Sequence, residues 1–373
     1  MKEFLTFKSG KFYFNHEYDA TQVESLLVRA TVLNETIVNL PILPELASRL
    51  EPEIMYSSIA GTAAIEGNPC TREDVEKIAQ GEEVAVYTKK DQQEIRNLIT
   101  AYNFLASIEP SSEPFLVTEE IICKLHKMIT NDVADENNRP GKYRNGIVYV
   151  GDKAHGGVYT PPKILEDIKN LMREYTGWIN SEAVLQTNPF IRASLAHYYF
   201  ATIHPFWDGN GRTARLLEAL ILQSVHIKYA PRELSNYYYR NVDEYYIAFS
   251  KSIKLKKDPS PFLTFSLKAS VDSLERIKET ILAFITKCTL KDFYRSEKQN
   301  KRLTARQFEL MDILLDHPVS FSLKDLQERK PFSILYRGVT TQTARRDIKR
   351  LLAQNLLIPD GEKKYVLNFR VLG

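Results

Sequence analysis

Residues 204–215 read His-Pro-Phe-Trp-Asp-Gly-Asn-Gly-Arg-Thr-Ala-Arg and fall between two helical runs, 189–203 and 212–227. Pro205 prevents the first helix from continuing. Gly209 and Gly211 remove side chains, so backbone N–H groups can come close to a ligand. The helix that starts near Arg212 presents its N-terminus, which favours an anion through its free N–H groups and dipole. Arg212 and Arg215, three residues apart, share a helix face and suit a fork onto phosphate oxygens. Asp208 is the one carboxylate in the loop and the natural Mg²⁺ ligand beside phosphates. His204, with an ordinary pKa near ~6.5, is the natural general base. No GxxxxGK[ST] occurs in the chain, so this phosphate cradle is not a Walker loop.

The surroundings of that loop are mostly helical. Val23, Leu26, Leu27, Ala30 and Leu33 align at helical spacing over 22–33. Further helices are predicted over 54–66, 72–79, 91–108, 118–130, 163–179, 241–255 and 261–288, with a Pro-containing connector at 40–44. Residues 1–20 alternate polar and aromatic, which predicts a short strand or hairpin. Residues 139–162 open with Pro140-Gly141-Lys142-Tyr143-Arg144 and carry Ile147-Val148-Tyr149-Val150, Gly156-Gly157 and Tyr159-Thr160-Pro161-Pro162, a small β-hairpin inside the helical region.

Composition narrows the class. With 43% hydrophobic and 26% charged residues the chain is not generally disordered. Its net charge of +3 is too small to argue a polyanion partner for the whole molecule. Cys70, Cys123 and Cys288 are odd in number and scattered, which excludes a disulfide framework and argues against a zinc site. No apolar run approaches the ~18 residues of a membrane span, and the N-terminus lacks the apolar stretch of a signal peptide. A cytoplasmic protein with no membrane partner is the expectation.

The segment 204–215 resembles the signature of the Fic family, HxFx[D/E]GNGRxxR, at every specified position, and the similarity extends over about 21–282. The resemblance implies a mainly α fold: an N-terminal helical region (1–110) with an inhibitory helix, and a Fic catalytic core (111–288) with a β-hairpin flap. It implies nucleotidyl transfer, chiefly of AMP from ATP to a Ser, Thr or Tyr hydroxyl of a protein, the enzyme itself included, with release of pyrophosphate. His204 would take the proton from the attacking hydroxyl, and Asp208 would hold Mg²⁺ between the α- and β-phosphates. Asn210 would position the α-phosphate, Gly209 and Gly211 would offer N–H groups, and Arg212 and Arg215 would bind the β- and γ-phosphates. Thr213 and Ala214 complete the nucleotide-binding turn, and Asn241 is similar in place to a residue near the base. Tyr159, Thr160 and Pro161 resemble the flap that clamps a target by adding a β-strand. Bland readings stand beside these: Asn241 suits a helix N-cap, and the flap an ordinary hairpin.

Thr62-Ala63-Ala64-Ile65-Glu66-Gly67-Asn68 resembles the family's inhibitory motif. Glu66 occupies a last helical turn, where the dipole disfavours a carboxylate by ~0.3–1 kcal/mol. By resemblance Glu66 pairs with Arg215 and denies the γ-phosphate its seat, and Thr62 hydrogen-bonds one turn earlier. The motif leaves open UMP or phosphocholine as the transferred group, removal of AMP as a second reaction, and a homodimer, since relatives often dimerise.

A charged linker is expected at 289–302, and 303–373 reads helix–helix–helix–strand–turn–strand, the layout of a winged helix. Residues 291–373 carry 17 Lys+Arg against 10 Asp+Glu, while the remainder carries 33 against 37. The third helix holds Thr340, Thr341, Gln342, Thr343, Arg345, Arg346, Lys349 and Arg350, types that suit base edges and phosphates, and Lys363-Lys364 suit a wing on phosphate. DNA is therefore one expected partner of this tail and another protein the alternative. A nucleotide-sensing, DNA-binding transcription regulator is the contrasting function for the whole chain.

Overall fold

The structure, a computed structural model, describes residues 1–42, 44–133, 138–227 and 229–372, so one residue of the expected connector, Leu43, lies outside the described residues. The chain divides into two compact units, Met1–Lys278 and Glu279–Gly373.

The first unit opens with an antiparallel hairpin, β1 (Lys2–Thr6) and β2 (Gly10–Phe14), in which Lys2 faces Phe14 and Thr6 faces Gly10. Phe14 is fully buried, stacked on Trp178 at 5.3 Å and edge-on to Tyr199 at 5.3 Å. The hairpin is thus seated on the helical core by Phe14, and its turn is tied down by the Phe7 N–H donating to Asp167 at 2.6 Å and by Lys163 donating to the Lys8 carbonyl at 2.7 Å.

The helices follow as α1 (Ala20–Val38), α2 (Pro44–Ile65), α3 (Arg72–Ala79), α4 (Lys89–Ala106), α5 (Glu119–Thr130), α6 (Leu165–Ile179) and α7 (Glu182–Leu185). Then come α8 (Pro189–Ile203), α9 (Asn210–Gln223), α10 (Leu234–Arg240), α11 (Val242–Leu255) and α12 (Ser260–Gln299). In α8, 13 of 15 residues are buried, and in α9, 13 of 14, so these two helices form the centre. A helix enclosed on all sides has no need of a polar stripe. The loop joins these two buried helices, with His204 and Trp207 half-buried and Asp208 exposed.

Three expectations are corrected here. α2 begins ten residues before the predicted start at 54 and runs through Pro52. An interior proline costs a helix roughly 3 kcal/mol; buried Leu46, Leu50 and Ile54 continue the apolar face across it and offset that cost. In the expected β-hairpin at 139–162, only Val150 and Tyr159 pair, through two backbone hydrogen bonds of 2.9 and 2.8 Å. Gly151, Gly156 and Gly157, all at positive φ, curl the intervening turn away from an extended ladder.

The expected linker at 289–302 is helical as far as Gln299, and the unit boundary falls at 278/279 rather than at 288. The charges there are the solvated side of an amphipathic helix. Leu290 and Tyr294, each 1% exposed, supply its apolar side to the second unit's core.

That second unit continues with α13 (Ala305–Asp316), β3 (Phe321–Ser322), α14 (Leu323–Glu328), α15 (Phe332–Leu335), α16 (Thr341–Ala353), β4 (Leu357–Pro359) and β5 (Lys364–Leu367). β5 lies between β3 and β4, antiparallel to both. Two-residue β3 and four-residue α15 are too short to show a period in sequence. Cys70, Cys123 and Cys288 are all free thiols, and among the described residues no helix is long and apolar enough to cross a membrane.

Candidate active site

His204 caps α8 in the left-handed conformation, φ 52° and ψ 58°. A non-glycine residue holds that conformation only where its surroundings fix it. Here fully buried Arg144 does so. Its Nε donates to the His204 carbonyl at 2.7 Å, its Nη1 to Gly146 O at 2.5 Å, and its backbone N–H to Pro205 O at 2.9 Å. Burial with only carbonyl partners pushes this guanidinium down to about 10.

The His204 ring lies 3.3 Å from the Ala201 carbonyl through Nδ1. A carbonyl only accepts, so Nδ1 carries the proton and Nε2 holds a free lone pair. Burial, reinforced by the Arg144 charge, pushes the imidazole down to about 4, so the ring is neutral around pH 7.

The rest of the loop is pinned from within and from α5. Asn210 accepts from the Phe206 N–H and donates to the Phe206 carbonyl, both at 2.9 Å. Its side chain thereby closes the loop, with a second Nδ2 N–H outside these two bonds. His126 stacks on Phe206 at 3.7 Å. Its Nδ1 accepts from the Gly141 N–H at 2.9 Å, so its Nε2 donates to the Asp208 carbonyl at 3.0 Å. Burial pushes this ring down to about 4 as well, which preserves the tautomer the two bonds require. Gly209, at φ 74°, caps α9 with no side-chain bond to its N–H groups. A Cβ there would meet Thr130 Cγ2 at 3.1 Å.

The two arginines part company. Arg215, 4% exposed, donates from Nε to Thr62 Oγ1 at 2.7 Å and from Nη2 to Glu66 Oε1 at 2.6 Å and the Thr62 carbonyl at 3.3 Å. Its Nη1 reaches Tyr245 OH at 3.5 Å. Burial works against the charge, but Glu66 outweighs it and holds Arg215 above its ordinary value. Arg212 turns instead to Asp208 Oδ2 at 2.9 Å and Glu94 Oε1 at 3.5 Å, and its buried Nε has no hydrogen-bond partner among the described residues. Although desolvation opposes it, the Arg212 charge keeps the Asp208 carboxyl below the usual range.

His204, Glu66, Gly211, Arg215 and Tyr245 line one open cavity of about 490 Å³. Its other walls are the turn from Tyr149 to Tyr159 and the face of α11 from Tyr245 to Lys254. Tyr159 of the expected flap faces this space; Thr160, Pro161, Asp208, Arg212 and Asn241 do not line it. Thr213 bonds from Oγ1 to the Gly209 carbonyl at 2.8 Å, and Ala214 is fully buried, so both support the α9 start. Asn241 occupies the N-cap position of α11 without a side-chain cap bond and donates to the Tyr237 carbonyl at 2.9 Å. A Cβ on Gly211 would meet Glu66 Oε1 at 2.5 Å, so the glycine leaves room for this carboxylate, which lies one residue past the end of α2 rather than in its last turn.

Residues 116–222 match the Fic/DOC family. The match runs from just before α5 to the end of α9. The chain's sequence is 30% identical over 175 residues to the protein adenylyltransferase fic-1 of Caenorhabditis elegans, and 33% identical over 177 residues to the protein adenylyltransferase Fic of Drosophila ananassae. Each match covers 47% of this chain and 33% of the relative, so the chain spans about a third of the length of the curated relatives it matches. Among solved structures, a Fic family protein from Desulfovibrio desulfuricans G20 shares the fold over 95% of this chain and 98% of its own, with a TM-score of 0.59 and 19% identity. Residues 134–508 of C. elegans Fic-1 share it over 72% and 74%, with a TM-score of 0.56 and 24% identity.

His204, Glu66 and Arg215 were legible in the sequence as candidate site residues. Arg144 and His126 were not, since they act through backbone carbonyls and N–H groups that only folding brings near. The Pro140-to-Arg144 segment and the Tyr245-Tyr246 pair were the available signals. Among the described residues no group of three or more His, Cys, Asp or Glu forms a metal cluster.

Proposed function

We propose that this protein is a protein adenylyltransferase, moving AMP from ATP to a hydroxyl side chain of a protein and held off by Glu66. The observation that carries this reading is the shared cavity, where a neutral imidazole and an arginine already bridged by a carboxylate 2.6 Å away face one space.

The residues fit a triphosphate. The first N–H groups of α9 lack a capping side chain, and Arg212 Nε lacks a partner; both are what a phosphate would satisfy. The single carboxylate of Asp208 fits Mg²⁺ held mainly by phosphate oxygens, and the ion would neutralise charge there. In the transfer, the target hydroxyl oxygen forms a bond to the α-phosphorus as the bond to the β-phosphate oxygen breaks. Its proton passes to His204 Nε2, and pyrophosphate leaves. Catalysis is then largely positioning and charge stabilisation. While Glu66 occupies Arg215, the γ-phosphate has no cation to meet. The bridge between Val150 and Tyr159 leaves the backbone groups of Val158 and Thr160 on the opposite edge, suited to pairing with an extended target segment.

For the second unit we propose a winged-helix role in DNA contact, supported by the exposed Thr341, Gln342, Arg345, Arg346 and Lys349 along α16 and by exposed Lys363 and Lys364.

The test is mass spectrometry of the Glu66→Gly protein after incubation with ATP and Mg²⁺. An AMP adduct on the protein, well above the wild-type level and missing from Glu66→Gly/His204→Ala, is expected. No adduct with ATP, but one with UTP or CDP-choline, would replace AMP by another group. No gain over wild type with any donor would remove the Glu66 brake.

A further inference from the structure

The wall of the cavity opposite His204 is a short turn with its own fastening. His155 sits between two carboxylates. Its Nδ1 lies 2.8 and 2.9 Å from the Asp152 oxygens in the same turn, and its Nε2 lies 2.9 Å from Asp243 Oδ1 on α11. The ring packs edge-on over Tyr246 of α11 at 5.3 Å. Next to it Gly156 lies so close to Ser250 that a Cβ would collide with the serine side chain. This is the only place, among the contacts of the described residues, where side chains of the 151–157 turn are hydrogen-bonded to α11.

Ionised carboxylates only accept hydrogen bonds, and a neutral imidazole has one N–H. Both contacts at once therefore require the imidazolium. Of the groups facing it, Asp152 from its own turn and Asp243 from α11 are bonded to the ring and favour the charge, Tyr246 offers a ring edge, and the Lys254 cation beyond Gly156 opposes it from farther off. Glu66 and Arg215, which act on Tyr246 across the cavity, form a pair of cancelling sign. Hydrogen bonds to Asp152 and Asp243 hold the His155 imidazole above its ordinary range.

We propose that His155 is a positioning residue that latches the turn from Gly151 to Gly157 onto α11 and so sets access to the cavity. The latch is closed while His155 is charged and opens as pH rises through its raised pKa. On losing one proton, the ring keeps its local bond to Asp152, which shares its turn. A lone pair then faces Asp243, and the contact between turn and helix is the one that breaks. The latch concerns the cavity wall alone and holds whatever group the site transfers.

The test is amide hydrogen exchange of peptides covering 149–160 in the full chain at pH 6 and pH 8.5, corrected for intrinsic exchange. Wild type should lose at least fivefold in protection at the higher pH, while peptides from α8 stay unchanged. His155→Gln, which keeps size but has no cationic form, should show the low protection at both pH values. Asp243→Ala should do the same from the other side of the contact. If wild-type protection does not vary with pH, or if His155→Gln keeps the wild-type profile, the latch does not exist.

Discussion

His204, the base in the proposed transfer, is kept neutral by its neighbours rather than by the ring itself. Arg144 fixes the backbone that points the ring into the cavity, and burial keeps it neutral with its pKa near about 4. A base whose folded pKa is depressed is lost only when pH falls through that lower value. The kcat/KM of the Glu66→Gly protein should therefore hold flat from neutrality down past pH 6 and fall with an acid limb near 4. An acid limb at ~6.5, the ordinary histidine value, would mean that the working imidazole is solvated. The same residue-level view explains what was legible in the sequence. The roles proposed for His204, Arg215 and Glu66 rest on their own functional groups, so the residue types speak for themselves. Asn210 reads as a residue that positions a phosphate, and nothing in a string of letters shows that it also closes the loop onto Phe206.

Helices were recovered where the start carries a cap, whether one face is apolar, as in α3, or nearly the whole surface is buried, as in α8. α3 and α8 match their predicted limits, with Thr71 and Asn188 bonding to the first-turn N–H groups. Reading failed where a strong local cue was outvoted by packing, as in the proline inside α2 and the charge-rich end of α12. Tyr294 makes that second failure measurable. It is 1% exposed in the second unit's core, and its hydroxyl has no partner among the described residues. Replacing a large buried aromatic by Ala removes ~3–5 kcal/mol of stability, whereas removing an unsatisfied buried hydroxyl is neutral or stabilising by up to roughly 1–3 kcal/mol. Tyr294→Ala should thus lower the unfolding midpoint of the second unit sharply and Tyr294→Phe should leave it level or raise it, followed by denaturant titration of the full chain. A loose linker at 289–302 would leave both variants like wild type.

Across the whole molecule, charge is divided between the two units. Residues 291–373 hold a surplus of seven positive charges, while the rest of the chain is negative by four. On α16 buried Ala344, Asp347, Ile348 and Leu351 take the inner side, and Asp347 is neutralised within it by Arg306 at 2.8 Å and Gln307 at 3.0 Å. The exposed side keeps Arg345, Arg346 and Lys349 without an opposing carboxylate on that helix. A surface that displaces counterions from duplex DNA loses affinity linearly in log salt, by about 0.9 per phosphate contact. The full chain should therefore bind a mixed-sequence duplex at 50 mM salt and release it steeply by 200 mM. The double substitution Arg345→Ala/Arg346→Ala should reduce the slope by about 2, with AMP transfer by the Glu66→Gly protein unaffected. Weak, salt-insensitive binding in both proteins would rule out duplex DNA as the partner of the α16 face, because a basic surface seated on phosphates must release condensed counterions.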